Sequence, residues 1–82
     1  MYCVYLLKSI KDQGYYIGYT ADLKHRVQDH QSGFVASTRN RTPLQLIYFE
    51  AYSCEMSARQ REKQLKHFGS AYSALLKRLG LK

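Results

Sequence analysis

Eighty-two residues, 45% of them hydrophobic, make one small domain, 1–82, with a single core and leave no room for a second. A net charge of +7 and a pI near 9.6 point to a polyanionic partner, most simply nucleic acid, the bland alternative being solubility alone. Cys3 and Cys54 are too few and too far apart for a disulfide framework, a redox pair or a zinc knuckle; the longest apolar run, residues 4–7, is too short for a membrane span, and no signal peptide is recognisable, so the expected setting is cytoplasmic.

Residues 2–8 (YCVYLLK) are rich in β-branched and aromatic side chains and predict a strand. Lys11-Asp12-Gln13-Gly14 breaks it, and a second strand at 15–19 completes a hairpin. Thr20 is placed to cap the following helix, whose stripe is Leu23, Val27 and His30 and whose stop is Gly33. Residues 34–43 lack any period and read as an exposed loop bearing Arg39 and Arg41. LQLIYFEAY (44–52) predicts a third strand. A helix follows, beginning between Cys54 and Ala58 with Ser57 and Gln60 as a capping box, and ending at Phe68-Gly69. Ser70 then caps a last helix with the stripe Tyr72, Leu75, Leu76 and Leu79. The fold class is α+β: a small, mainly antiparallel three-stranded sheet flanked by helices, in the order ββαβαα.

Glu62 stands out. It shares helical spacing with Ala58, Leu65 and Gly69, which sets a carboxylate on an inward stripe. Such a group must pair, shift its pKa or bind a metal. Arg59, Arg61, Lys63 and Lys66 all lie within a turn, so an ion pair and a metal ligand are both open at this point. Charge is uneven as well: residues 1–38 hold four Lys/Arg against three Asp/Glu, and residues 39–82 hold nine against three. Eight tyrosines among eleven aromatics add faces on which bases can stack.

Val4-Tyr5-Leu6 on the first strand and Tyr16-Ile17-Gly18 on the second resemble the paired motifs of the GIY-YIG nuclease family. Arg26, His30 and Glu62 follow in the order and on the element types of that family. The likeness spans nearly the whole chain and is greatest to short stand-alone bacterial members. It implies catalytic roles for Tyr5, Tyr16, Arg26, His30 and Glu62 in metal-dependent hydrolysis of DNA. Cys3-Val4 replaces the Gly-Ile of the first motif. Tyr19 stands where several members have lysine or a small polar residue, and Ser73 and Ala74 stand where some have a further polar group.

Phosphodiester hydrolysis needs an activated water, positive charge on the phosphoryl oxygens and a proton for the leaving oxygen. Within the implied set, Glu62 is a hard oxygen ligand for Mg²⁺ or Mn²⁺. Tyr5 or Tyr16 is the general base, once a neighbouring charge lowers its phenol pKa. Arg26 neutralises phosphate charge, and His30 takes or relays a proton. Gly18, Tyr19, Arg39, Arg41, Arg59, Arg61, Lys63 and Lys66 are the expected nucleic-acid contacts. The expected partner is DNA, single-stranded or branched by preference because no base-reading element is present, with RNA also open. Two other readings are a non-catalytic nucleic-acid-binding module of the same fold and a domain whose basic face docks an acidic protein.

Overall fold

In the computed structural model, which describes residues 1–82, the first apolar run becomes the middle strand of the sheet. β1 (Tyr2–Ser9) pairs antiparallel with β2 (Tyr15–Thr20) on one side and β3 (Leu44–Tyr52) on the other. This central place explains why Cys3 to Leu7 are all buried, whichever face they point to. Val4 and Leu6 face α2 (Glu55–His67) and α3 (Gly69–Arg78), where they join Ile17, Ala58, Leu65, Leu75 and Leu76 in the main core. Tyr5 and Leu7 face α1 (Leu23–Gln31), where a smaller cluster forms with Leu44, Tyr16, Leu23 and Leu46. The element order is the expected ββαβαα. No helix is long and apolar enough to cross a membrane.

The helix caps differ from expectation. Thr20 still belongs to β2, and the residue that caps α1 is Asp22, whose carboxylate accepts from the His25 N–H at 3.1 Å; Thr20 braces Asp22 through its own hydroxyl. No capping box forms on α2, because the chain leaves β3 so abruptly that the helix is under way at Glu55 and Ser57 lies inside it. α3 starts at Gly69, one residue after α2 ends, so Ser70 sits in its first turn without a capping bond.

The loop between α1 and β3 is the larger correction. It is not simply exposed: Val35 and Thr38 are buried, and a short 3₁₀ turn covers Arg39–Arg41. Four contacts tie it to the β1–β2 turn, one of them from the Ile10 N–H to the Pro43 carbonyl at 2.9 Å. Ser9 Oγ donates to the Arg41 carbonyl at 2.6 Å, Lys11 donates to the Asn40 carbonyl at 3.1 Å, and Arg41 pairs with Asp12 at 2.7 Å.

Candidate active site

The hairpin register decides which tyrosines meet. Tyr5 lies opposite Gly18 and Leu7 opposite Tyr16, so both phenols stand on the α1 face, one register step apart. A Cβ on Gly18 would overlap the ring and hydroxyl of Tyr5. Gly18 therefore exists to seat Tyr5 across the strand pair. It is buried beneath that ring and offers no surface to a phosphate, contrary to the expected contact.

α1 brings His30 to the same place. The imidazole is fully buried, with Nε2 2.8 Å from the Tyr5 hydroxyl and Nδ1 2.7 Å from Thr38 Oγ1. Both phenols meet its ring edge-on, Tyr5 at 5.6 Å and Tyr16 at 5.3 Å between centroids. Burial first, and then the charge of Arg26, push the imidazole down to about 4. It is neutral at physiological pH, so it can relay or orient a proton but brings no charge.

Arg26 lies four residues before His30, and its guanidinium bears on the Tyr5 hydroxyl. Burial pushes the Tyr5 phenol up, and Arg26 opposes this without reversing it. The expected lowering of a tyrosine pKa is thus incomplete in the free protein. Nε of Arg26 is buried with no hydrogen-bond partner. An orphaned cationic donor beside a buried hydroxyl is the mark of a site awaiting an anion.

Tyr16 forms the outer wall. Its hydroxyl accepts from Ser37 at 3.2 Å, and Lys66 Nζ lies 5.6 Å from its ring centroid. Lys66 in turn pairs with Glu62 at 3.1 Å. A cleft of about 360 Å³, lined by Tyr15, Tyr16, Ile17, Leu65, Lys66 and Tyr72, opens beside this pair. Glu62 is close enough to Tyr5 for its charge to act on the phenol.

Glu62 itself is not the inward carboxylate that its spacing suggests. Ala58 and Leu65 fill the buried stripe, Gly69 belongs to α3 and is exposed, and Glu62 sits on the margin with about 21% of its side chain accessible. The enclosed, paired carboxylate is Glu50 on β3. Arg61 grips both its oxygens, at 2.9 and 3.1 Å, while Tyr48 and Tyr52 each donate to it at 2.6 Å. Burial works to raise the Glu50 carboxyl, but these donors outweigh it and hold it below the usual carboxylate value.

That network takes Arg61 out of the expected nucleic-acid surface. Arg41 is engaged with Asp12. Arg59 pairs through Nε with Glu55 at 2.9 Å and covers the ring of Tyr19 at 4.3 Å, while the Tyr19 hydroxyl donates to Glu55 at 3.3 Å, so both are engaged with Glu55 in the free protein. Arg39 and Lys63 are exposed and make no ion pair. Thr38, Ser37 and Glu50 escape a reading by pattern, since the first two lie in an aperiodic loop and the third in a strand read for its apolar residues.

No three His, Cys, Asp or Glu side chains cluster in this chain, so it builds no self-sufficient metal centre. The donor set fits a hard divalent ion of another kind. Glu62 supplies one accessible carboxylate, and Mg²⁺ characteristically takes one or two carboxylates, with waters and substrate phosphate completing its shell.

Comparison with known proteins shows the family and the fold. The family model of the GIY-YIG catalytic domain matches residues 1–73. A UPF0213 protein of Haloquadratum walsbyi is 39% identical over 66 residues, covering 79% of this chain and 73% of that protein. Another, of Halobacterium salinarum, is 36% identical over 77 residues, covering 93% and 99%. The solution NMR structure of a UPF0213 protein from Bacillus halodurans is similar with a TM-score of 0.58 at 33% identity, covering 96% of this chain and 85% of that one.

Proposed function

The chain belongs to the GIY-YIG catalytic-domain family, and from that premise we propose that it is an endonuclease that hydrolyses DNA phosphodiester bonds with one divalent cation. The observation that carries this reading is the unpartnered Nε of Arg26 beside the buried Tyr5 hydroxyl. A phosphate at that point would satisfy the donor and place negative charge against a fixed guanidinium. Tyr5 acts as general base, taking the proton from the attacking water, and His30 holds its oxygen in place. Tyr16 walls the phosphate in and keeps Lys66 at hand for its charge. Glu62 would hold Mg²⁺ or Mn²⁺, which when bound supplies positive charge to the phosphoryl oxygens.

The tyrosine-lined cleft beside Tyr16 and Lys66 supports a preference for single-stranded or branched DNA, because an unstacked base can lie against a tyrosine face and a paired one cannot. One observation favours the alternative, a non-catalytic binding module: Lys66 occupies an oxygen of Glu62 in the free protein. Cleavage of labelled single-stranded, duplex and branched DNA, with RNA alongside, separates the two. The expected result is nicking that chelation abolishes and that falls at least ~100-fold in Tyr5→Phe, a loss in the range of removed general bases, with binding retained. Binding without cleavage on every substrate supports the alternative.

A further inference from the structure

Thr38 lies outside the residue set that the family motifs mark, yet it is fully buried and its hydroxyl sits 2.7 Å from His30 Nδ1. With the 2.8 Å contact from Nε2 to Tyr5, it makes a chain of three polar groups joined by two hydrogen bonds. Those groups bring three hydrogens: one on each hydroxyl and one on the neutral imidazole. Among the polar neighbours of Tyr5, Arg26 has only donors, Glu62 and Tyr16 act on it through charge without a hydrogen bond, and the Thr38 hydroxyl makes no second hydrogen bond. With Tyr5 protonated, one hydrogen in this chain always lacks an acceptor within it.

Removing the proton from Tyr5 closes the count, and in one arrangement only. Thr38 O–H donates to Nδ1, and Nε2–H donates to the phenolate oxygen. The opposite tautomer would set a bare nitrogen lone pair against that oxygen. We propose that Thr38 is a positioning residue that holds His30 as its Nε2–H tautomer and so presets Tyr5 as the proton acceptor of the site. Its catalytic consequence rests on the nuclease reading above. During turnover the Tyr5 phenolate takes one proton from the attacking water and afterwards returns it to solvent. The protons on Thr38 and His30 stay where they are.

The loop that carries Thr38 is built to hold it still. Thr38 O accepts from the Arg41 N–H at 2.8 Å, and Arg41 is fastened to the β1–β2 turn through Asp12 and Ser9. The hairpin that presents Tyr5 therefore also anchors the residue two hydrogen bonds away from it. Burial keeps His30 neutral, the state in which its tautomer matters.

Nitrogen-15 NMR of the imidazole in the wild-type protein, followed as the pH rises through the titration of Tyr5, reads the tautomer directly, and protonation at Nε2 is expected beside the Tyr5 phenolate. Thr38→Val, which removes the donor at nearly constant volume, is expected to lower kcat by about 10–100-fold, the range seen when a partner that orients a functional histidine is removed. KM should be unchanged and the rise of kcat with pH displaced upward, while Thr38→Ser stays within a few-fold of wild type. A His30 protonated at Nδ1 beside the Tyr5 phenolate overturns the proposal. So does a folded Thr38→Val protein with wild-type kcat and pH profile. If the valine variant fails to fold, the wild-type spectrum still decides. A wild-type protein that cuts no nucleic acid overturns the nuclease reading instead, and the tautomer continues to test the role of Thr38.

Discussion

Gly18 and Tyr5 show how much of the site depends on a pair of opposed positions. The Tyr5 ring occupies the space a Cβ at 18 would need, and it cannot swing away cheaply because it is buried and bonded to His30. Gly18→Ala is therefore expected to destabilise the protein by roughly 1–3 kcal/mol, the cost of overpacking, and to remove cleavage by displacing the base. Denaturant unfolding beside a nicking assay checks both; an alanine variant with wild-type stability and rate would mean that Tyr5 is freer than its contacts indicate. His30 makes a second prediction. Its pKa is near 6.5 in the unfolded chain and about 4 when folded, so between these values the unfolded state binds a proton that the folded state does not. Stability should be intact above that window, fall as the pH drops through it by on the order of 3 kcal/mol, and level off below. Unfolding curves across the window should be flatter for His30→Gln than for wild type by about that amount.

α2 presents different chemistry on successive faces. Ala58 and Leu65 pack into the core, Arg61 turns toward β3 and grips Glu50, Glu62 and Lys66 lie at the cleft, and Lys63 points to solvent. A step of 100° per residue is enough to separate these roles, so adjacent residues Arg61 and Glu62 should respond to mutation in opposite ways. Arg61→Ala leaves Glu50 half-enclosed without its main counter-charge and is expected to cost roughly 1–3 kcal/mol, with cleavage per folded molecule unchanged. Glu62→Gln loses only an i,i+4 pair with Lys66, part-exposed and worth about 0.5 kcal/mol, so its melting point should barely move while metal-dependent cleavage disappears. Thermal melts and cleavage rates on the two variants test the division. A Glu62→Gln protein that cuts normally would remove the metal from that residue.

The net charge of +7 has to be apportioned before it predicts binding. Arg41, Arg59, Arg61 and Lys66 each face a carboxylate, from Asp12, Glu55, Glu50 and Glu62, and locally cancel. Five cations of the second half are left unpaired, Arg39, Lys63, Lys77, Arg78 and Lys82; Arg39 follows Thr38 directly at the edge of the site and Lys63 follows Glu62. Affinity for single-stranded DNA should fall as salt rises, and each of Arg39→Ala and Lys63→Ala should reduce the log–log slope by about 0.7, the value for one phosphate no longer neutralised. Arg41→Ala should leave the slope nearly unchanged and instead lower kcat, since it frees the loop that holds Thr38. Binding titrations at several salt concentrations decide this, and an Arg41→Ala slope as shallow as that of Lys63→Ala would restore Arg41 to the binding surface.

Three strands and three helices in their order were legible in the chain, because apolar period and turn residues are local properties that survive folding. Tyr5, Tyr16, Arg26 and His30 were joined as one group by the family resemblance, while hairpin pairing and helical spacing by themselves relate only Tyr5 to Tyr16 and Arg26 to His30. Caps were not legible, because Thr20, Ser57 and Ser70 are all competent and only the path of the chain between elements selects where a helix begins. Glu62 lies at a margin and Glu50 is enclosed for a related reason. Spacing places a residue on a stripe or at its margin, but the depth of burial depends on what packs above it, and Glu50 meets two tyrosines of β3 and an arginine of α2. Thr38 lay furthest from prediction. It lies eight positions after His30, beyond the end of α1 in an aperiodic loop, and the hydrogen bond between them depends on Asp12, Ser9 and Arg41 folding that loop back over the sheet.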